Sequence, residues 1–212
     1  MTQKRRGIPF VVAAPSGTGK TSICRRVLAE DPQVVFSVSH TTRSRRDDEL
    51  DSRDYHFVSE PEFERLTAEG AFLEWAIYNG HHYGTSAEAL ERALAEGRDV
   101  LLEIEVQGAR QVRERRSDAR LVFLLPPSFA ELETRLQGRG TDSREEIARR
   151  LEWARRELSA LRDFDYAVVN DDLECCVGEV LTIIRTERAG NPEALRRRLD
   201  PAAAEGRLRA SG

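Results

Sequence analysis

A short apolar run, Ile8-Pro9-Phe10-Val11-Val12-Ala13, leads without a break into a glycine-rich turn, Ala14 to Gly19, and then into a helix-patterned segment, Lys20 to Glu30. The run is β-branched and aromatic, as buried strands are. The segment after the turn carries Ile23, Val27 and Leu28 on one face, and Asp31-Pro32 ends it. Strand, tight turn and helix in direct succession are the opening of a parallel β-α-β unit, and the rest of the chain repeats the theme. Apolar runs recur at Val34 to Val38, Val100 to Glu105, Leu121 to Leu125 (stopped by Pro126-Pro127) and Tyr166 to Val169. Helical spacing is predicted for Ala87 to Glu96, Gln107 to Arg116, Phe129 to Leu136, Ser143 to Leu161 and Leu173 to Thr186. Ser143 and Glu146 have the spacing of a capping box. The expectation is an α/β fold with a parallel sheet covered by helices on both faces. Ligands of such sheets bind at the carboxyl ends of the strands.

Two stretches depart from this texture. Between Ser39 and Ser86 come an Arg/Asp-rich loop, the run Tyr55 to Val58, a short helix from Glu62 to Glu69 and an aromatic, Gly-containing stretch from Glu74 to Tyr83. This reads as a small mixed insertion outside the main sheet. The tail from Gly190 to Gly212 is rich in Arg and Ala with little apolar face, and is expected to be a frayed helix or disordered, its charges solvated.

Composition limits the function. The 212 residues are 40% apolar and 33% charged, and no apolar run approaches the ~20 residues that span a bilayer. The basic start, Met1 to Gly7, is not followed by a signal-type apolar stretch of adequate length, so a cytoplasmic protein is expected. Cys24, Cys175 and Cys176 form neither a disulfide framework nor a zinc spacing. With a net charge of −4 the chain does not attract anions as a whole, so an anionic ligand must be held by a local cluster of Arg and Lys.

The turn supplies such a place. Ala14-Pro15-Ser16-Gly17-Thr18-Gly19-Lys20-Thr21 resembles the phosphate-binding P-loop, G-x-x-x-x-G-K-[ST]. Glycines let backbone N–H groups turn inward around phosphate oxygens, and the helix that follows points its positive end at the same spot. Lys20 then reaches the terminal phosphates of ATP, and the Thr21 hydroxyl can ligate Mg²⁺. The first glycine of the pattern is here Ala14, which is acceptable only where the backbone needs no positive φ.

Further segments resemble the guanylate kinase family. They are Ser37-Val38-Ser39-His40-Thr41-Thr42-Arg43-Ser44-Arg45-Arg46; Phe72-Leu73-Glu74-Trp75-Ala76 with Gly80-His81-His82-Tyr83-Gly84-Thr85; Leu102-Glu103-Ile104-Glu105-Val106-Gln107-Gly108; Gly138-Arg139-Gly140-Thr141-Asp142-Ser143; and Val169-Asn170-Asp171-Asp172. The resemblance covers residues 8 to 188. It implies a catalytic unit over 1–188 with a core at 8–38 and 87–188, a GMP-binding insertion at 39–86 and a mobile lid at about 137–150, leaving 189–212 as a charged tail. It also implies transfer of the γ-phosphoryl group of Mg-ATP to GMP, and to dGMP, which recycles GMP into the guanine nucleotide pool. Position by position, Arg43, Arg46, Tyr55 and Tyr83 match residues that hold the GMP phosphate. Ser39, Glu74 and Thr85 match those around guanine, with Glu105 nearby where the family often has Asp. Residues 14–21 and Asn170 match the ATP site, with Asn170 beside the adenine. Lys20, Arg43, Arg139 and Arg150 match the groups that act on the transferring phosphate, and Glu103 could hold a Mg²⁺-bound water. No nucleic acid, membrane or obligate protein partner is implied.

Each residue also has a plainer role open to it. Tyr55 and Tyr83 could be aromatic core, His81-His82 loop surface, and most arginines of the Ser143 to Leu161 helix i,i+4 partners of Glu. Two alternatives stay open at the level of the whole chain: another nucleotide or sugar-phosphate kinase on the same core, and a catalytically silent guanylate-kinase-like module that binds phosphoprotein.

Overall fold

The computed structural model describes residues 5–78, 80–138 and 143–210. Five strands, β1 (Pro9–Ala13), β2 (Val34–Phe36), β7 (Asp99–Glu103), β8 (Arg120–Leu125) and β9 (Tyr166–Val169), form a parallel sheet in the order β2-β7-β1-β8-β9. Helices α1 (Lys20–Glu30), α3 (Ala87–Ala95), α4 (Val106–Arg115), α5 (Phe129–Gln137), α6 (Arg144–Leu158) and α7 (Leu173–Ala189) alternate with them.

Strand periodicity divides the core. Phe10 and Val12 of β1 point to the face covered by Ile23 and Val27 of α1 and by Val180, Ile183 and Ile184 of α7. Val11 and Ala13 point to the other, among Leu90 and Leu94 of α3 and Val106, Ala109 and Val112 of α4. Both faces are therefore buried, which is why these strands read as unbroken apolar runs. The amino ends of the strands carry a structural ion network: buried Asp99 accepts from Ile8 N at 2.9 Å and from Arg188 Nε at 2.7 Å, and Arg188 also reaches Asp31 at 3.0 Å. The carboxyl ends are left for ligand-binding loops.

Residues 40–86 build a second sheet, β4-β3-β6-β5, from β3 (His40–Thr41), β4 (His56–Phe57), β5 (Phe72–Tyr78) and β6 (His81–Ser86). Helix α2 (Glu60–Ala68), capped by Ser59, sends Phe63 against Phe72 with ring centroids 4.6 Å apart. Register pairs Glu74 on β5 with Thr85 on β6, next to an irregularity between Phe72 and Glu74. In α6 the serine half of the predicted capping box forms: the Ser143 hydroxyl accepts from Glu146 N at 3.2 Å, while the Glu146 carboxylate pairs with Arg149 and Arg150.

The tail differs from the expectation. It forms α8 (Glu193–Arg198) and α9 (Pro201–Ala210) rather than a frayed or disordered end. Leu195, Leu199 and Ala204 are buried, and Leu199 O accepts from Ala167 N at 2.8 Å beside β9. Its arginines are not merely solvated: Arg196 pairs with the buried Glu187 at 2.6 Å and Arg198 with Glu179. Leu195 in α8, Leu199 in the turn after it and Ala204 in α9 make too sparse a pattern to stand out in sequence. Paired charges supply the rest of the docking.

Candidate active site

The chain between β1 and α1 wraps into a cradle. Gly17 and Gly19 take φ values of +92° and +96°, which side chains rarely adopt. Space agrees with conformation, since a Cβ on Gly17 would lie 2.9 Å from Leu136 and one on Gly19 2.8 Å from the Asn170 amide. Among the described residues Ser52 is the only non-glycine with positive φ, so Ala14 meets the condition set for it. Ala14 and Pro15 are buried at the strand end, and Ser16 is half-buried at the rim. Thr18 N donates back to Pro15 O at 3.1 Å. Helix α1 begins at Lys20, where first-turn N–H groups have no partner inside the helix and face the loop. Asn170, buried after β9, donates its amide to Thr18 O at 2.6 Å. Its visible work is to brace the loop.

Parallel pairing of β1 with β7 puts Glu103 and Ile104 beside this cradle. Lys20 Nζ donates to Ile104 O at 3.0 Å and to Glu105 Oε1 at 3.0 Å. Burial works against the lysine's charge, but the carboxylates of Glu105 and Glu103 outweigh it and hold its pKa above the ordinary value. Thr21 Oγ1 donates to Glu103 Oε1 at 2.5 Å. A hydroxyl and a carboxylate side by side at the loop mouth are hard oxygen donors, the kind and number that Mg²⁺ takes from protein when phosphates supply the rest.

The second sheet offers a different chemistry. Glu74 is only 3% exposed, and Thr85 Oγ1 donates to its Oε1 at 2.6 Å. Burial pushes its pKa up to about 7, against the pull of the Thr85 hydroxyl and amide and the Arg115 charge. Its other oxygen fills the space left by Gly108 of α4, where a Cβ would come within 2.3 Å of Oε2. Sequence reasoning quoted Gly108 but gave it no role; the signal was a glycine inside a helix, where it costs about 1 kcal/mol relative to Ala. Ser39 is half-buried just before β3 and accepts His56 N through its carbonyl. Gly108→Ala should therefore displace the Glu74 carboxylate. If GMP is the acceptor, as the sequence resemblance implies, its expected effect is a fall in kcat/KM for GMP with the KM for ATP unchanged, and steady-state kinetics with each substrate varied in turn checks it.

Arg43, Tyr55 and Tyr83 come together at one edge of this sheet. The Arg43 guanidinium lies 5.3 Å from the Tyr55 ring centre, and the two tyrosine rings are 5.9 Å apart. Glu49 occupies the arginine fork, at 2.7 and 3.1 Å, and this pairing is the first cause of the raised Arg43 pKa. Arg46 joins through its backbone, donating to Glu49 at 2.9 Å, while its side chain is exposed. Glu49 escaped the sequence reading because it is one acid among several in an Arg/Asp-rich loop.

A cleft of about 550 Å³ separates the two sheets' loops. Ser16 and Glu105 line one side, Ile77 and Tyr78 of β5 another, and Arg150 and Glu157 of α6 a third. Arg150 Nη1 donates to Ser16 Oγ at 3.3 Å, so α6 reaches the phosphate loop directly. Arg139 lies outside the described residues.

Comparison with known proteins gives the family. The family model for guanylate kinase matches residues 6–187. Guanylate kinase of Nitratidesulfovibrio vulgaris is 53% identical over 180 residues, covering 85% of this chain and 87% of its own. That of Syntrophotalea carbinolica is 50% identical over 184 residues, covering 87% and 88%. A crystal structure of guanylate kinase from Anaplasma phagocytophilum superposes with a TM-score of 0.72 at 32% identity, covering 87% of each chain. The chain belongs to the guanylate kinase family of enzymes.

Proposed function

We propose that this protein transfers the γ-phosphoryl group of ATP to GMP, and also to dGMP, giving ADP and GDP (or dGDP) within the cytoplasm. The observation that carries the reading is the buried Glu74 carboxylate of the second sheet, fixed by Thr85 and given room by Gly108. Guanine offers two neighbouring donors that one carboxylate can accept together. Ser39 and Glu105 complete its surroundings. The GMP phosphate would sit against Arg43, Arg46, Tyr55 and Tyr83, displacing Glu49 from the Arg43 fork.

A GMP phosphate oxygen is already a competent nucleophile, so no general base is needed. It attacks the γ-phosphorus in line as the bond to the β–γ bridging oxygen breaks, and the electron pair leaves with ADP. The work of the protein is positioning and charge. Residues 14–21 wrap the ATP phosphates, Asn170 braces the loop beside the adenine, and Lys20 swings from Glu105 to the phosphates. Arg150 comes from α6, with Arg139 proposed as its companion. Thr21 Oγ1 would hold Mg²⁺, with Glu103 behind it through water; bound there, the ion neutralises charge on the β- and γ-oxygens. No helix among the described residues is long and apolar enough to cross a membrane.

A coupled assay with Mg-ATP and a panel of monophosphates tests the reading. GMP and dGMP should turn over far faster than AMP, CMP, UMP or dTMP. Equal rates for AMP and GMP would remove the guanine assignment, and no turnover with any monophosphate would favour a silent binding module.

A further inference from the structure

Helix α6 turns one stripe to the cleft, where Glu146, Arg150, Trp153 and Glu157 recur at helical spacing. Arg150 has a place in the mechanism above, whereas Glu157 has none. Its carboxyl is half-buried in the wall of the same cleft, and among the described residues burial and the charges of Glu105 and Lys20 are what act on it. The charges that act on it are those of Glu105, before α4, and Lys20 of α1, and the other titratable or charged groups lining the cleft are Tyr78 of β5 and Glu146, Arg149 and Arg150 of its own helix. A carboxylate in that position would face the phosphates that Lys20 and Arg150 are there to attract.

We propose that Glu157 is a positioning residue of the phosphoryl-transfer site, whose carboxyl takes up a proton as the ATP phosphates enter and in its neutral form lets α6 lie against them. The proposal rests on the reading that Lys20 moves to those phosphates. Burial, and after it the Glu105 carboxylate, push the Glu157 pKa up to about 7, opposed by the Lys20 charge. When Lys20 turns to ATP that opposition weakens, and a polyanion arrives as well. Both changes favour the protonated form. The proton comes from solvent and returns to it when ADP departs; Glu157 forms no bond to phosphorus.

The sign of the linkage follows. Above pH 7 the carboxyl of the empty enzyme is largely ionised, so binding must draw in a proton, and ATP should bind more weakly as pH rises. Calorimetric titration of Mg-ATP without GMP, near pH 8 in two buffers of different ionisation enthalpy, counts those protons. Mg-ATP is itself fully ionised there. The wild type should take up roughly half to one proton per ATP. Glu157→Gln, which keeps the shape of a neutral carboxyl, should take up about none, and its KM for ATP should lose the rise with pH. Glu157→Asp, which retains an acid, should keep the uptake. A residue that only supported the fold would change melting temperature or kcat alike at every pH and leave the proton count alone. The same count in wild type and Glu157→Gln, or none in the wild type, overturns the proposal while leaving the phosphate-loop assignment intact. If Mg-ATP does not bind at all, that assignment falls and the proposal with it.

Discussion

Lys20→Ala should lower kcat by at least about 10²–10³-fold, the loss typical of removing one preorganised donor from developing transition-state charge. Lys20 bridges Ile104 O and Glu105 Oε1, both at 3.0 Å. It has therefore a structural role as well as the proposed catalytic one. Removing it leaves Glu105 without its ion-pair partner next to Glu103 and Glu157, so some loss of melting temperature is expected too. A second variant separates the roles. Lys20→Arg keeps the charge that satisfies Glu105, but its planar fork does not fit the space a compact ammonium fills between loop and phosphate. It should recover the melting temperature and not the turnover. If Lys20→Ala is as active as wild type while its circular dichroism is unchanged, the loop does not act on the transferring phosphate. If Lys20→Arg restores turnover fully, charge alone is what the site needs.

The phosphate loop was legible because its chemistry is local. Positive φ at two glycines, a lysine and a hydroxyl all lie within one tight turn, between a strand and a helix that announce themselves by composition. The parallel sheet was legible for a similar reason, as burial on both faces writes continuous apolar runs. The resemblance to guanylate kinases added the distant residues, and contact geometry shows what it could not. Arg43 meets Glu49 through a loop closure with no periodic signature. The space that Gly108 leaves for Glu74 depends on α4 packing against β5, between residues 34 positions apart in sequence. The docking of α8 and α9 was hidden because three buried apolar residues in a run of Arg and Ala do not rise above the composition. Glu157 looked like any Glu in an Arg/Glu helix until the side of the helix facing the cleft was known.

Glu74 should prove the main reader of guanine, and its pH dependence gives a second handle on the same claim. Thr85 donates to Glu74 Oε1, which fixes the carboxylate and leaves the remaining acceptor capacity for the base. In Glu74→Gln the amide oxygen can still accept from Thr85, so the amide nitrogen must face guanine's own donors. Donor meets donor, and most GMP activity should be lost. Adenine presents a lone pair at the corresponding ring position, which the wild-type carboxylate would meet with its own. Sites built to hydrogen-bond a substrate reject mismatched analogues by ~10⁴–10⁵. Glu74→Ala should therefore lower kcat/KM for GMP while narrowing the ratio of GMP to AMP. The carboxyl must be ionised to accept two donors, and burial holds its pKa near 7 in the free enzyme. Above that pH the reader is ready; below it the proton has to be expelled for GMP to bind, so kcat/KM for GMP should fall about tenfold per pH unit as the medium becomes more acidic. The phosphate of GMP has its own second ionisation near pH 6, and the variant tells the two apart. With Glu74→Gln the residual activity should lose the limb near 7 and keep only the one near 6. Steady-state kinetics for GMP and AMP across this range, in wild type and both variants, decides the matter. Wild-type preference for GMP in either variant, or an acid limb that does not move when Glu74 is replaced, would take Glu74 out of the guanine site.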